Sequence, residues 1–416
     1  MAGMLAGGCA LVALLWLTWF TLSLRADYRA TKANIDAVRA MFAPDGNTGE
    51  LRPEQLPELA ERLGTIELQI RNLDARLDVP VLTPVARHLP WFGPRLRAVE
   101  QFLAFGINAS DLAHDGANLG NDIYAAWELT GFSGEVDPNA PTWLSAVQAN
   151  RGQIDTLLLR FDELLQERDA LDDEHLPEQA TSMLASLDPL MQRAARVREA
   201  YVGWLDYYPL IEQALGARED GRYIVLLLNS QEIRPVGGFP GTYAVITVRE
   251  GRLFDYTFHN ILELDGAYLA ARSKPIPAPA PLRRYLEVRE LLPRDSGWDP
   301  DFPHMAARLL EMYALTGGEP VHGVVAVTDI AVRDVLRSLG PMTVYIQGEP
   351  VTVTGDNVVQ TIEAYRLGPG ERHKDAVRVI GSALLDRIRN GGFAVQRDVL
   401  SAMRASADRR EIQFYA

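Results

Sequence analysis

The sequence predicts a protein of the mixed α+β or α/β class, in which an N-terminal transmembrane helix and an α-helical bundle stalk precede a mixed-sheet domain with flanking helices. Three features predict this order: an uncharged apolar stretch at the start, a leucine-rich heptad pattern after it, and strand-like runs that alternate with helical patterns in the second half. The predicted segments are a transmembrane signal anchor at 1–25, a helical stalk or bundle at 26–216, and a mixed α/β domain at 217–416 that is truncated at its C-terminus.

The anchor is predicted from residues 4–24, which carry no charge and are rich in Leu, Ala, Val, Trp and Phe. A helix needs about 20 apolar residues to cross a bilayer. A cleaved signal peptide would instead have an apolar core of about 7 to 15 residues, with basic residues before it and a small-residue cleavage site after it. We therefore expect residues 4–24 to bind the lipid bilayer as a single-pass signal anchor.

The charges that flank this stretch bear on its orientation. Arg25, Arg29 and Lys32 follow it, and no Lys or Arg precedes it. The positive-inside rule counts such residues near the membrane, and it places the large domain in the cytoplasm. A basic segment upstream of Met1 would reverse that orientation, so the charges alone leave the topology open.

Composition excludes several classes of function. A formal net charge of -14 argues against binding nucleic acid, and against general attachment to anionic membrane surfaces. The single cysteine, Cys9, lies in the apolar stretch, so no disulfide or cysteine-based metal site can form within one chain. The sequence contains no HExxH, GxSxG, Walker or GxGxxG motif, which disfavours the standard hydrolases, nucleotidases and dehydrogenases.

The stalk is predicted from helical periodicity. Apolar residues recur at spacings of three and four, the heptad seam of a helix that packs lengthwise on another helix: Leu56, Leu59, Leu63, Ile66, Ile70, Leu73 and Leu77. Prolines between Pro80 and Pro94 predict a rigid link, after which helical patterning resumes as far as about Gly216. An antiparallel bundle follows, whose seam packs either within the chain or between chains of a homo-oligomer.

The α/β domain begins at Tyr223–Leu228, a short apolar run typical of a strand buried on both faces. Two β-rich runs flank Arg249-Glu-Gly-Arg252, which predicts a hairpin with Gly251 at positive φ. Farther on, strands at 323–327 and 342–346 alternate with helices at 329–339, 355–366 and 376–389, which predicts a mixed sheet. The last residues start like a strand with no partner after it, so we expect a truncated C-terminus.

A glycine-rich loop between the first two strands is the first candidate site. Gly237 and Gly238 permit positive φ and close approach of a ligand to backbone amides, and Arg234 can make a bidentate contact with phosphate. The alternative is a structural turn held by an ion pair between Glu232 and Arg234.

Three aspartates, Asp295, Asp299 and Asp301, lie just before a predicted helix at His304–Ala314. Carboxylates at this density suit a hard cation such as Mg²⁺. Their spacing is not that of an EF-hand, however, and aspartates before a helix often cap it. A metal is therefore a hypothesis, and no cofactor is certain from the sequence.

Basic residues gather around an acid in Tyr365-Arg366, Arg372, Lys374-Asp375 and Arg378. Asp375 and Arg378 are one helical turn apart and can form a surface ion pair. The sharper interpretation is a phosphate-binding cluster that includes Arg366 and Arg378, because the arginine fork matches phosphate oxygens.

Several of these segments resemble the bacterial membrane proteins known only as the domain of unknown function 4012 family. Leu89–Leu96 resembles the proline-rich link of that family, and Tyr223–Phe239 resembles its central signature. Trp298–Pro303 and Val321–Val327 continue the resemblance in the expected order.

That family is distantly similar to the LytR-CpsA-Psr proteins, which are membrane-anchored and transfer glycopolymers from polyprenyl-pyrophosphate carriers to peptidoglycan outside the cell. Asp375-Ala-Val-Arg378 resembles their Asp-x-x-Arg element, and Val321–Gly340 resembles their strand, helix and following glycine. Their next arginine falls near Gly381, and their early Arg-x-Asp metal motif is replaced around Glu232 and Arg234. The resemblance implies an α/β domain outside the cell membrane.

Two functions follow as expectations. In the favoured one, the stalk spaces a non-catalytic binding or scaffold domain from the bilayer, and the ligand is a cell-wall or lipid-linked glycan. The alternative is a LytR-CpsA-Psr-like phosphotransferase, in which Arg234, Arg366 and Arg378 neutralise pyrophosphate while Asp299 or Asp301 holds Mg²⁺. Convergence of the three clusters in one pocket would favour the transferase, and their separation would favour the scaffold.

Overall fold

The computed structural model describes residues 26–42, 52–77, 82–132, 140–205, 207–366 and 372–416. The chain forms two compact units, of which the first combines residues up to Ala125 with Ala146–Asp206 and the second combines Ala126–Ser145 with Tyr207–Ala416. The predicted anchor at 4–24 lies outside the described residues. Within them, no helix is long and apolar enough to span a membrane.

The first half of the chain is helical, as the periodicity predicts. In chain order the helices are residues 26–41 (α1), Leu56–Leu77 (α2), Leu82–Arg87 (α3), Gly93–Thr130 (α4), Trp143–Ala149 (α5), Arg151–Asp169 (α6) and Glu178–Leu205 (α7). The heptad seam of α2 is buried at Leu59, Leu63, Ile66, Ile70 and Leu73. It packs within the chain, on apolar residues of α1 and α4.

Polar contacts fix the directions of these helices. Asp27 of α1 lies 2.7 Å from Arg76 of α2, and Asn34 bonds to Gln69, so α1 and α2 are antiparallel. Arg160 of α6 reaches both Asp111 and Asp115 of α4, at 2.5 and 2.7 Å. Together with a bond from Asn108 to Glu167, these pairs make α4 and α6 antiparallel. The predicted bundle is present in the first unit.

The second unit contains a mixed sheet. Its strands are Gly221–Asn229 (β1), Phe239–Arg249 (β2), Arg252–Asn260 (β3), Gly323–Thr328 (β4) and Ile412–Tyr415 (β7), in the spatial order β3-β2-β1-β4-β7. Only β1 and β4 run parallel, while the other neighbours are antiparallel. Strands Met342–Ile346 (β5) and Glu349–Val353 (β6) form a separate hairpin. The last strand, β7, pairs with β4, which precedes it in the sequence.

Helices cover both faces of this sheet. One face packs on Ile261–Ala271 (α9), Phe302–Leu315 (α11) and a 3-10 turn at Pro293–Trp298, around a core of Ile224, Leu226, Leu228, Leu264, Met305, Leu309, Val324 and Ala326. The other face packs on Asp329–Leu339 (α12), Arg372–Arg389 (α14) and Phe393–Asp408 (α15), whose core includes Leu336, Ile346, Ala376, Ile380 and Val399. Shorter helices are Tyr208–Ala214 (α8), Ala280–Tyr285 (α10) and Val358–Arg366 (α13).

The hairpin between β2 and β3 turns at Glu250 and Gly251, with φ of 49° and 76°, which confirms the positive φ predicted for the glycine. Trp143 packs against this turn and donates from its indole Nε1 to the Gly251 carbonyl at 3.4 Å. Trp127 lies between Trp143 and Phe393, with ring centroids 5.2 and 5.7 Å away. Aromatic packing therefore attaches the segments around Trp127 and Trp143 to the rest of the α/β unit.

Candidate functional site

The glycine loop folds tightly against the carboxyl ends of the two parallel strands. Gly237 has a φ of 114°, and a Cβ there would lie 3.1 Å from Cγ2 of Thr328 at the end of β4. A Cβ on Gly238 would lie 2.4 Å from the carbonyl oxygen of Asn229 at the end of β1. Both glycines are therefore needed for the close approach of the loop to the sheet.

The charged residues of this loop point to different partners. Glu232 accepts a bond from Asn229 at 3.4 Å. The Arg234 guanidinium donates to the Ile233 carbonyl at 2.9 Å and lies 5.3 Å from the ring centroid of Phe239. The ion pair considered between Glu232 and Arg234 is not formed, and Arg234 has no carboxylate partner among the described residues.

The 3-10 turn that carries the aspartate motif lies directly on the glycine loop. A Cβ on Gly297 would be 2.9 Å from Val236, 3.7 Å from the Gly238 carbonyl oxygen and 3.9 Å from Cβ of Arg234. Two of the three candidate clusters, far apart in sequence, thus meet on one face of the sheet.

Asp295 is the most unusual group at this junction. Asp295 is only 6% exposed, and its Oδ2 has no hydrogen-bond partner among the described residues. Burial raises the pKa of this carboxyl, and the nearby charges of Arg294 and Arg234 partly offset that rise. An unpartnered buried carboxylate is costly, which makes it a candidate functional group.

A second buried acid lies beside it. Asp265 of α9 is 4% exposed, and its Oδ1 accepts from the Arg294 backbone amide at 3.1 Å. Burial raises its pKa, Arg294 lowers it, and the charge of Asp295 raises it further. Sequence reasoning missed Asp265, although its position four residues after the buried Ile261 places it on the inward face of α9.

A cleft of about 210 Å³ opens at Asp295. Its lining mixes apolar and polar side chains: Pro279, Leu291, Asp295, Ser296, Trp298, Asp299, Pro300 and Arg308. Arg308 lies 3.1 Å from Nε2 of His304, whose Nδ1 lies 2.7 Å from Asp299. Arg308, which has no carboxylate partner among the described residues, thus lines the same cleft as Asp295.

The three predicted metal ligands have separate local roles. Asp301 caps α11 by accepting from the His304 amide at 3.3 Å, and Asp299 accepts from the Asp301 amide at 3.1 Å. Across the part of the chain that the structure describes, no group of three His, Cys, Asp or Glu side chains is placed to hold a metal ion. The Mg²⁺ site suggested by the spacing of Asp295, Asp299 and Asp301 therefore stays a prediction.

The part of the third cluster formed by Asp375 and Arg378 lies on the other side of the sheet, whereas Glu363 of α13 accepts from Asn229 at the start of the glycine loop, at 3.4 Å. Asp375 and Arg378 of α14 are 3.5 Å apart and exposed, which is the surface ion pair considered above. Helix α14 packs on β3 through Phe258 and Tyr256, and these residues face away from the Tyr243 and Val245 side that contacts α9 and α11. Arg366 ends α13, and its side chain lies outside the described part of the structure.

Gly381 has a specific packing role on α14. A Cβ at this position would lie 2.7 Å from Cζ of Phe258, closer than side-chain carbons normally approach. A larger side chain at Gly381 would therefore require Phe258 to move.

Comparison with known proteins identifies the α/β unit but not its activity. No curated protein matches the chain. The X-ray structure of the Lin1025 protein from Listeria innocua aligns over 47% of this chain and 71% of its own, at 15% identity and a TM-score of 0.27, which carries no argument about fold. Residues 218–365, which contain the glycine loop, the buried acids and the cleft, match the family described as protein of unknown function (DUF4012). The match is to this segment of the chain, so the similarity to the DUF4012 family is shown for residues 218–365.

Proposed function

We propose that this chain is a membrane-anchored, extracytoplasmic protein of the cell envelope, in which the helical unit is a stalk and the α/β unit is a non-catalytic binding module. The uncharged residues 4–24 support the anchor, and the helical bundle that follows them suits a spacer. The ligand we propose is the glycan part of a cell-wall or lipid-linked polymer.

The contact between Gly381 and Phe258 is the observation that favours binding over transfer. Phosphoryl transfer depends on cations placed together around the developing charge. A longer side chain at Gly381 would meet the Phe258 ring at once. In addition, Arg378 is paired with Asp375 on a helix that covers the sheet face opposite Arg234. The separation of Arg234 from Arg378 supports a binding module over a transferase that uses both arginines.

The cleft at Asp295 suits a hydroxyl-rich ligand. A sugar ring offers hydroxyl donors, hydroxyl acceptors and an apolar face of C–H groups. In the cleft, Asp295 supplies an acceptor, Arg308 supplies donors, and Trp298 supplies an apolar wall. A hydroxyl bound in the cleft would donate to the carboxyl group of Asp295, which lines it.

Calorimetry of the full chain in detergent with soluble peptidoglycan fragments tests this proposal. Replacing Arg308 by Ala removes a charged hydrogen bond, worth about 1.5–3 kcal/mol, and should weaken binding roughly tenfold or more. Arg378→Ala is the matched control, because it removes an arginine from the opposite side of the sheet. Unchanged affinity in Arg308→Ala would refute binding in the cleft.

A transfer assay addresses the alternative. We expect the full chain, incubated with a polyprenyl-pyrophosphate-linked glycan, Mg²⁺ and peptidoglycan, to release no polyprenyl phosphate. Release that depends on Arg378 would establish the LytR-CpsA-Psr-like transferase and overturn the non-catalytic function.

A further inference from the structure

A turn at one end of the helical unit displays four apolar side chains to solvent. Val85, Leu89, Trp91 and Phe92, here termed the apolar tip, are 63%, 39%, 70% and 38% exposed. Single exposed apolar residues are common, but a cluster with two aromatic rings marks an interaction surface.

The apolar tip is held rigidly. The Gly93 amide donates to the Leu89 carbonyl at 2.7 Å, and the Phe92 amide donates to the same oxygen at 3.2 Å. A Cβ on Gly93 would lie 2.2 Å from the Arg87 carbonyl oxygen, which also accepts from Arg97 at 3.2 Å. The backbone is therefore fixed with the side chains outward, and their exposure is a property of the fold.

The position of the apolar tip is the second observation. Arg76, at the last turn of α2, lies 2.7 Å from Asp27, at the start of α1. Thr83, in α3, donates to the Leu77 carbonyl at 3.0 Å. The tip and the start of α1 therefore share one end of the helical unit. In the sequence, α1 follows the uncharged residues 4–24 almost directly.

The charge of this region is the third observation. Residues 82–98 contain three arginines, one histidine and no acidic residue, although the whole chain has a formal net charge of -14. One of these arginines, Arg87, pairs with Glu100 at 2.9 Å. Arg95 and Arg97 are exposed beside the tip. Tryptophan and arginine are the side chains favoured where a protein meets lipid headgroups, and basic residues there are attracted to anionic lipids.

We propose that the apolar tip inserts into the interfacial layer of the same bilayer that holds the N-terminal segment, so that the helical unit is attached to the membrane at two points. This inference rests on the proposed anchor at residues 4–24. The lipid is the occupant that fits, because the tip lies where the chain would leave the membrane and its surroundings are basic.

Labelling of single cysteines tests the inference, since Cys9 is the only native cysteine. The full chain is reconstituted in vesicles of phosphatidylethanolamine and phosphatidylglycerol. In one sample, nitrobenzoxadiazole labels the native Cys9. In the other two, Cys9→Ala removes the native cysteine, and the label is attached at position 91 through Trp91→Cys or at position 159 through Leu159→Cys. Leu159 is a matched control because it is 66% exposed and lies beside Arg160, which pairs with Asp111. At 1.5 Å per residue, Asp111 is about 27 Å along α4 from Gly93.

Quenching by doxyl-labelled lipids gives the answer. We expect the labels on Cys9 and at position 91 to lose half or more of their fluorescence, and the label at position 159 to lose none. Quenching at Cys9 but not at position 91 would overturn the inference and leave the anchor intact. Blue-shifted but unquenched emission at position 91 would assign the tip to a protein contact and also overturn it. No quenching at Cys9 would refute the anchor and the inference together.

Discussion

Replacing a helical glycine by alanine usually stabilises a protein, but the contact between Gly381 and Phe258 predicts that Gly381→Ala destabilises this one. Glycine inside a helix is less favourable than alanine by roughly 0.5–1 kcal/mol. At Gly381, however, the added Cβ would lie 2.7 Å from the Phe258 ring. Overpacking of this kind costs about 1–3 kcal/mol. We expect Gly381→Ala to lower the free energy of unfolding by about 1 kcal/mol, since the steric cost exceeds the gain in helix propensity.

Two further variants isolate the cause. Gly266 of α9 is a matched control, because a Cβ there would meet nothing within 4 Å. Gly266→Ala should therefore stabilise the chain by about 0.5–1 kcal/mol. Phe258→Leu removes the outer ring atoms. In that background, the effect of Gly381→Ala on the free energy of unfolding should change sign, so that the substitution stabilises the chain.

Urea unfolding followed by far-UV circular dichroism measures all of these differences. If Gly381→Ala stabilises the otherwise unchanged chain as much as Gly266→Ala does, then Phe258 yields easily. An arginine would then be tolerated at this position, and the strongest reason for preferring a binding module over a transferase would be lost.

Three other predictions concern the α/β unit. Burial raises the pKa of Asp295, so the folded state binds the carboxyl proton more tightly than the unfolded chain does. The stability gained from this proton is present at acidic pH and is lost as the pH rises through the folded pKa. Asp295→Asn should therefore flatten the dependence of the urea midpoint on pH. Burial and a hydrogen bond to Asp386 raise the pKa of Tyr256 to about 12. Absorbance titration should show that this phenol ionises at a lower pH in Asp386→Asn. Gly251→Ala should cost more than about 1 kcal/mol in thermal unfolding, because it combines a φ of 76° with a Cβ only 2.8 Å from Trp143; an unchanged melting temperature would refute the rigid turn.

Much of the sheet could be predicted because its strands carry local patterns. The apolar run Tyr223–Leu228 is the buried core of β1, and Gly251 sits at the turn that its sequence neighbours indicate. The predicted helix 329–339 and strand 342–346 match α12 and β5 to the residue. Where periodicity and turn chemistry agree over one segment, the local sequence is sufficient to predict its secondary structure.

Long-range pairing could not be predicted in the same way. The short Ile412–Tyr415 segment pairs with β4, which lies far earlier in the chain. No feature of either strand's sequence predicts that the two strands pair. Strand β6 was missed because it is short and contains Pro350, which weakens a strand pattern.

The candidate site shows the same division. The sequence indicated that Arg234 and Asp295 are notable, but only the fold places the turn of Asp295 on the glycine loop. Burial decides the chemistry of Asp295 and Asp265, and burial depends on helices packed from elsewhere in the chain. One oxygen of Asp299 and one of Asp301 accept from nearby backbone amides, the capping role that the sequence offered as the alternative to metal binding.

The pairing of β7 with β4 has a consequence for how the protein is made. During synthesis, β4 is complete well before Ile412–Tyr415 exists, and until then one of its edges has no neighbour. An open edge with the composition Gly-Val-Val-Ala-Val-Thr can pair with another chain. The closing strand also brings Glu411 to Thr328, the residue that caps α12. Residues 411–415 therefore both cover the edge of β4 and complete the start of a helix, and the nascent α/β unit is open to aggregation until they emerge.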